Sequence, residues 1–153
     1  MEESIQFAKK YLEDLLSFFG LNTSVYATSE DGVIELEVPT THLNGFLIGQ
    51  HGETMRALQF LVSSALKNQG YEYVRVNVDV AEYKKHRAER LIARASAWVE
   101  SVRSSGEAME LKPMSAVDRR VIHKLAQDSG LISESVGEGR DRRIVLKPAT
   151  AAE

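Results

Sequence analysis

Two stretches of the sequence combine residue types and spacings suited to gripping a phosphate chain. The first is Leu47-Ile48-Gly49-Gln50-His51-Gly52-Glu53-Thr54. Without Cβ atoms, Gly49 and Gly52 let another backbone come close to the turn. A helix that follows such a turn directs its unpaired N–H groups at an anion. The same spacing also suits a plain turn between helices. The second stretch is Met114-Ser115-Ala116-Val117-Asp118-Arg119-Arg120-Val121-Ile122-His123. Arg119 and His123 are four residues apart, so on a helix they share a face. Arginine clasps phosphate through two donors, and histidine donates a hydrogen bond or stacks on a base. The plainer alternative is a half-buried His123 and an Arg119 paired with Asp118 or Glu134.

Other chemistries find little support. The chain has no cysteine, which excludes disulfides, Cys-ligated zinc and thiol catalysis. His42, His51, His86 and His123 form no His-x-x-x-His or His-Glu-x-x-His pattern, so no metal site is expected. No Gly-x-Ser-x-Gly elbow or Gly-Lys-Ser/Thr loop occurs. Gly137 and Gly139 lie between two predicted strands, not ahead of a helix, which argues against a dinucleotide site. No catalytic residue, cofactor or metal is expected, and the chain is read as a non-enzyme.

The overall charge is −3 over 153 residues, but it is unevenly spread. Residues 1–80 hold 5 Lys/Arg against 11 Asp/Glu, whereas residues 81–147 hold 14 against 10. The second part is therefore the more attractive to phosphate. No apolar run approaches the ~18–20 residues needed to cross a bilayer. The acidic start Met1-Glu2-Glu3-Ser4 is unlike a secretory signal.

The elements that would position these motifs follow from periodicity. Ile5, Ala8, Leu12, Leu15, Leu16 and Phe19 predict an amphipathic helix over 2–19, stopped by Gly20. Strands are expected near 22–28 and 32–38, around the turn Glu30-Asp31-Gly32. A short helix over 41–48 precedes the glycine turn, and a longer one over 53–68 follows it, with Met55, Leu58, Val62, Ala65 and Leu66 inward. Residues 71–80 alternate as a strand, with Val74, Val76, Val78 and Val80 on one face.

A long helix is predicted over 81–104, started by Asp79 and Glu82 and buried through Ala88, Leu91, Ile92, Ala95, Val99 and Val102. Tyr83, Arg87, Arg90, Arg94 and Trp98 fall within an arc of about 80° on it. That basic face suits a single strand, but a helix between the domains, its aromatics packed in the seam and its arginines solvated, explains it better. A strand near 108–111 and a Ser115-capped helix to about Gln127 follow, then strands near 131–136 and 142–147. Residues 1–80 and 81–148 read as two α+β domains, with 149–153 a flexible tail.

The αββααβ order around Ile48-Gly49-x-x-Gly52 resembles a type II KH domain, whose groove holds about four single-stranded nucleotides. Family members often carry Lys or Arg where Gln50 and His51 stand, so less phosphate attraction is expected at this turn. The run from Met114 to His123, then Glu134-Ser135, Gly137-Glu138-Gly139 and Arg142-Arg143-Ile144-Val145-Leu146-Lys147-Pro148, resembles the R-three-H domain of the SpoIIIJ-associated family (Jag, or KhpB). The resemblance implies a small α/β sandwich for the second domain, and nucleic-acid contacts at Arg119, His123, Arg142 and Arg143. It further implies a cytoplasmic RNA-binding protein or RNA chaperone linked to cell elongation and the cell wall, partnered by a small single-KH protein. The additional N-terminal domain of longer members is not expected. Two classes stay open: a single-stranded RNA binder, and a scaffold whose KH unit docks a protein. Aspartates at Gly49 and Gly52 are expected to weaken RNA binding without unfolding the domain.

Overall fold

The computed structural model describes residues 2–71 and 75–149. The chain divides into two compact units, Met1–Lys84 and Lys85–Glu153. Each is a mixed α+β unit with a three-stranded sheet. No described helix is long and apolar enough to cross a membrane.

In the first unit, α1 (Glu2–Phe18) turns Ala8, Leu12 and Leu16 fully inward. It ends where Gly20 adopts φ +81°, the Gly20 N–H donating to Ser17 and the Leu21 N–H to Leu16. That pair of bonds is the glycine-terminated cap expected there. Phe19 departs from the expected stripe: it is 44% exposed and meets Phe46 edge-on, with ring centroids 5.2 Å apart. The first strand begins later than expected. Residues 22–25 are not strand, and β1 (Tyr26–Glu30) is joined to β2 (Val33–Val38) by a two-residue turn at Asp31 and Gly32. Both turn residues have positive φ, which matches the twist of a tight hairpin. Val25 is nevertheless buried, its N–H received by Glu13 Oε1 at 2.8 Å.

β3 (Arg75–Val80) runs parallel to β2 and completes the order β1-β2-β3. Ile34, Leu36, Val38, Val76, Val78 and Val80 alternate inward against the helices. Tyr73 and Val74, part of the predicted strand, lie outside the described residues. α2 (Asn44–Ile48) starts three residues later than expected. Asn44 Oδ1 takes the Thr41 N–H and Thr41 Oγ1 takes the Leu43 N–H, which holds that stretch in a turn. α3 (Glu53–Asn68) packs Met55, Leu58, Val62 and Leu66 into the same core.

α4 (Tyr83–Ser105) starts after Ala81 and Glu82, both at positive φ. Asp79 does not sit at the cap position, but its Oδ1 still receives the Lys84 N–H at 3.3 Å. Leu91, Ala95, Val99 and Val102 are buried along α4, while Ile92, expected inside, is 40% exposed. In the second unit β4 (Met109–Glu110) and β5 (Leu131–Val136) flank the central β6 (Arg143–Pro148), all antiparallel. α5 (Ala116–Asp128) lies between β4 and β5 in the chain and carries Ile122 and Ala126. These two, with Leu91, Ala95 and Val102 of α4, meet Leu111, Ile144 and Leu146 in one core. Of the predicted flexible tail, residues 150–153 lie outside the described residues.

Ile122 is 1% exposed at the centre of the second core. Ile122→Ala should lower the unfolding free energy of this unit by roughly 2–5 kcal/mol, the cost of a buried aliphatic truncation. Denaturant titration checks this, and a loss well under 1 kcal/mol would contradict the packing described.

Candidate nucleic-acid interface

The glycine turn is set by backbone geometry. Gly49 has φ +69° and ψ −177°, and Gly52 has φ +80°. A Cβ on Gly49 would stand 2.3 Å from Thr54 Oγ1 and 2.9 Å from the Thr54 nitrogen. A Cβ on Gly52 would meet Tyr83 Cε1 at 3.2 Å. Gly49 thus has no room for a Cβ, and Gly52 holds a positive φ that side chains rarely adopt, so both glycines serve the fold itself. The expectation that aspartates there leave the fold intact is corrected on this ground. Ile48 packs against the core of the first unit, so it supports the turn from beneath. Gln50 and His51 are exposed at its tip, and His51 itself takes φ +52°. The sequence reading missed Arg56, whose Nη1 donates to the His51 carbonyl at 2.9 Å. One turn into α3, it brings a cation to a turn whose tip carries none.

The second unit gathers three of its four predicted contact residues. Ser115 caps α5, its hydroxyl accepting the Asp118 N–H at 3.2 Å. Arg119 is half-buried, and its Nη1 donates to the Met114 carbonyl at 2.9 Å. The Met114 N–H in turn donates to the Arg142 carbonyl at 3.1 Å. Arg119 therefore ties the segment entering α5 to the residue entering β6. One turn along α5, His123 Nδ1 lies 2.7 Å from Ser133 Oγ on β5. Arg142 is exposed, and its Nε donates to Ser135 Oγ at 3.2 Å. Ser133 and Ser135 are two apart, so His123 and Arg142 reach the same face of β5.

Neither Asp118 nor Glu134 holds Arg119. Asp118 pairs with Arg87 Nη2 at 2.7 Å, and Glu134 pairs with Lys147 at 2.7 Å. Beside Arg119, Pro113, Met114, Ser115, Ala116, Gly139 and Arg140 line a shallow depression of about 490 Å³. The start of α5 thus meets two arginines, an arrangement that favours an anion.

Arg143 belongs elsewhere. Strand alternation turns it away from the core side of β6, where Ile144 and Leu146 are buried. Its Nε donates to Glu110 Oε1 and its Nη1 to the Asp141 carbonyl. It lines a separate depression with Glu110, Lys112 and Asp141. The basic arc on α4 is also divided. Tyr83 packs on the first core and Trp98 on the second, so each ring is partly buried. Arg87 is held by Asp118, while Arg90 and Arg94 are exposed. Among the described residues no group of His, Cys, Asp and Glu is placed to hold a metal ion.

Residues 89–148 match the R-three-H domain family. The chain is 33% identical over 103 residues to the RNA-binding protein KhpB of Clostridium symbiosum, covering 67% of this chain and 46% of that protein. It is 27% identical over 147 residues to the KhpB of Bacillus subtilis, covering 94% of this chain and 70% of the relative. It is 32% identical over 114 residues to the KhpB of Streptococcus pneumoniae, covering 74% and 34%. The chain thus spans between about a third and about seven-tenths of the length of these relatives.

Gly49→Ala should lower the melting temperature, since the new Cβ has no room beside Thr54, whereas Gln50→Ala should leave it unchanged. Thermal melts monitored by circular dichroism compare the two. A Gly49→Ala protein as stable as the parent would contradict the turn geometry.

Proposed function

We infer that this chain is a protein of the KhpB (SpoIIIJ-associated) family with an R-three-H domain, and that it binds single-stranded RNA with most of its electrostatic affinity in the second unit. The observation that carries the reading is the hydrogen-bonded set Arg119–Met114–Arg142, with His123 on the same side of β5. It brings guanidinium and imidazole groups to one surface, next to a depression that also holds Arg140. Phosphates gain from those cations, and an imidazole adds base contact. The first unit is, on this reading, a type II-like KH domain whose turn contributes less, because Gln50 and His51 carry no fixed charge. Arg143 is mainly a structural residue of the sheet. The family resemblance adds a cytoplasmic RNA chaperone role, a link to cell elongation and wall synthesis, and a small single-KH partner.

A second reading applies to the first unit. Phe46, 54% exposed on the helix leading into the glycine turn, meets the partly exposed Phe19, and Phe60 on α3 is 70% exposed. Exposed aromatics in an acidic unit suit a protein surface better than a phosphate chain. In that reading the KH unit docks a protein while the second unit holds RNA.

Each phosphate contacted on a single strand adds about 0.7 to the slope of log affinity against log salt. Replacing Arg119 and Arg142 by alanine should lower both RNA affinity and this slope. Gln50→Lys with His51→Arg should raise them. Filter-binding titrations at several salt concentrations measure the effect, and an unchanged slope in the Arg119/Arg142 variant would remove these residues from the interface.

A further inference from the structure

Behind the side chains of that surface stands a pair of hydroxyls. Ser133 and Ser135 occupy the face of β5 that α5 covers, where alternation ordinarily places apolar groups. Each is engaged by one of the contact residues. His123 Nδ1 is 2.7 Å from Ser133 Oγ, and Arg142 Nε is 3.2 Å from Ser135 Oγ. A hydroxyl both donates and accepts. Ser133 can therefore hold Nδ1 whether or not that nitrogen carries a proton, and Nε2 is the ring nitrogen turned over to a ligand. Arg142 is anchored through Nε, its innermost donor, which leaves the two terminal nitrogens to clasp a phosphate. Ser133 and Ser135 pair with Leu146 and Ile144 of β6, both fully buried, so the serines are set beside the core positions of the central strand.

We propose that Ser133 and Ser135 are positioning residues for RNA binding, acting through His123 and Arg142 respectively. The proposal rests on the reading of the second unit as the principal RNA-binding one. A valine or alanine at either position would fill the strand equally well, but would leave the imidazole or guanidinium free to rotate among conformers. Ordering those groups would then be charged against binding.

Two double-mutant cycles on the full chain, read by fluorescence anisotropy with a labelled oligo(U) RNA, test this. Ser133→Ala and Ser135→Ala should each weaken binding roughly fivefold, the size of one net hydrogen bond. Ser133→Thr, which keeps the hydroxyl, should bind like the parent. In a His123→Ala background Ser133→Ala should have no further effect, and in an Arg142→Ala background neither should Ser135→Ala. Should an alanine variant fail to fold, the cysteine replacement, of similar size but a weak hydrogen-bonding group, carries the same cycle. Parent-like binding by Ser133→Ala and Ser135→Ala, or effects that simply add to those of His123→Ala and Arg142→Ala, overturns the proposal. If His123→Ala and Arg142→Ala themselves bind like the parent, the RNA-binding reading of this surface falls, and the proposal with it.

Discussion

The seating of α5 on the second sheet is the constraint from which the candidate interface follows. Ile122 and Ala126 on α5, and Ile144 and Leu146 on β6, are all essentially without solvent contact. Burying such aliphatic side chains is worth about 1.5–3 kcal/mol each for the larger ones, more than any surface contact nearby. Once that face of α5 is fixed, helical geometry leaves Arg119 and His123 no choice of side. His123 must look across to β5, and Arg119 must look back to the segment that enters the helix. The polar contacts then refine what packing has set: Met114 is held between Arg119 and Arg142, and His123 rests on Ser133.

The fold was legible in the sequence to the extent that periodicity carried it. α3 and β3 follow from apolar residues at helical and at alternating spacing, and Ser115 announces the start of α5. The misses have physical causes. Residues 22–25, preceded by Leu21 and ending in Val25, look strand-like, but the Val25 N–H is received by a glutamate side chain and not by a ladder. Ile92 carries the hydropathy of a core residue, yet α4 has a face that is not covered within the second unit. The start of α4 turns on positive φ at Ala81 and Glu82, a conformation that neither residue type advertises.

The site was less legible than the fold. Spacing placed Arg119 and His123 together, but the family resemblance set Arg142 and Arg143 at the interface alike. A strand sends neighbours to opposite faces, so they separate: Arg142 goes to the α5 side and Arg143 to Glu110. The same alternation would have pointed to Ser133 and Ser135, polar residues at inward positions between Leu131 and Ile144. Arg56 was hidden because its contact is with a backbone carbonyl, which sequence does not signal. Gly49 and Gly52 read as devices for approach to a ligand, and the atoms around them show that the turn needs them first in order to close.

Backbone amide chemical shifts, followed by NMR as a single-stranded RNA is added to the full chain, test most directly whether this second-unit surface is where RNA lies. The largest shifts should fall on Ser115–His123, Ser133–Ser135 and Arg142, with smaller ones at Gln50 and His51. Shifts confined to the first unit, or centred on Arg143 and Lys147 on the opposite face of the second sheet, would contradict it.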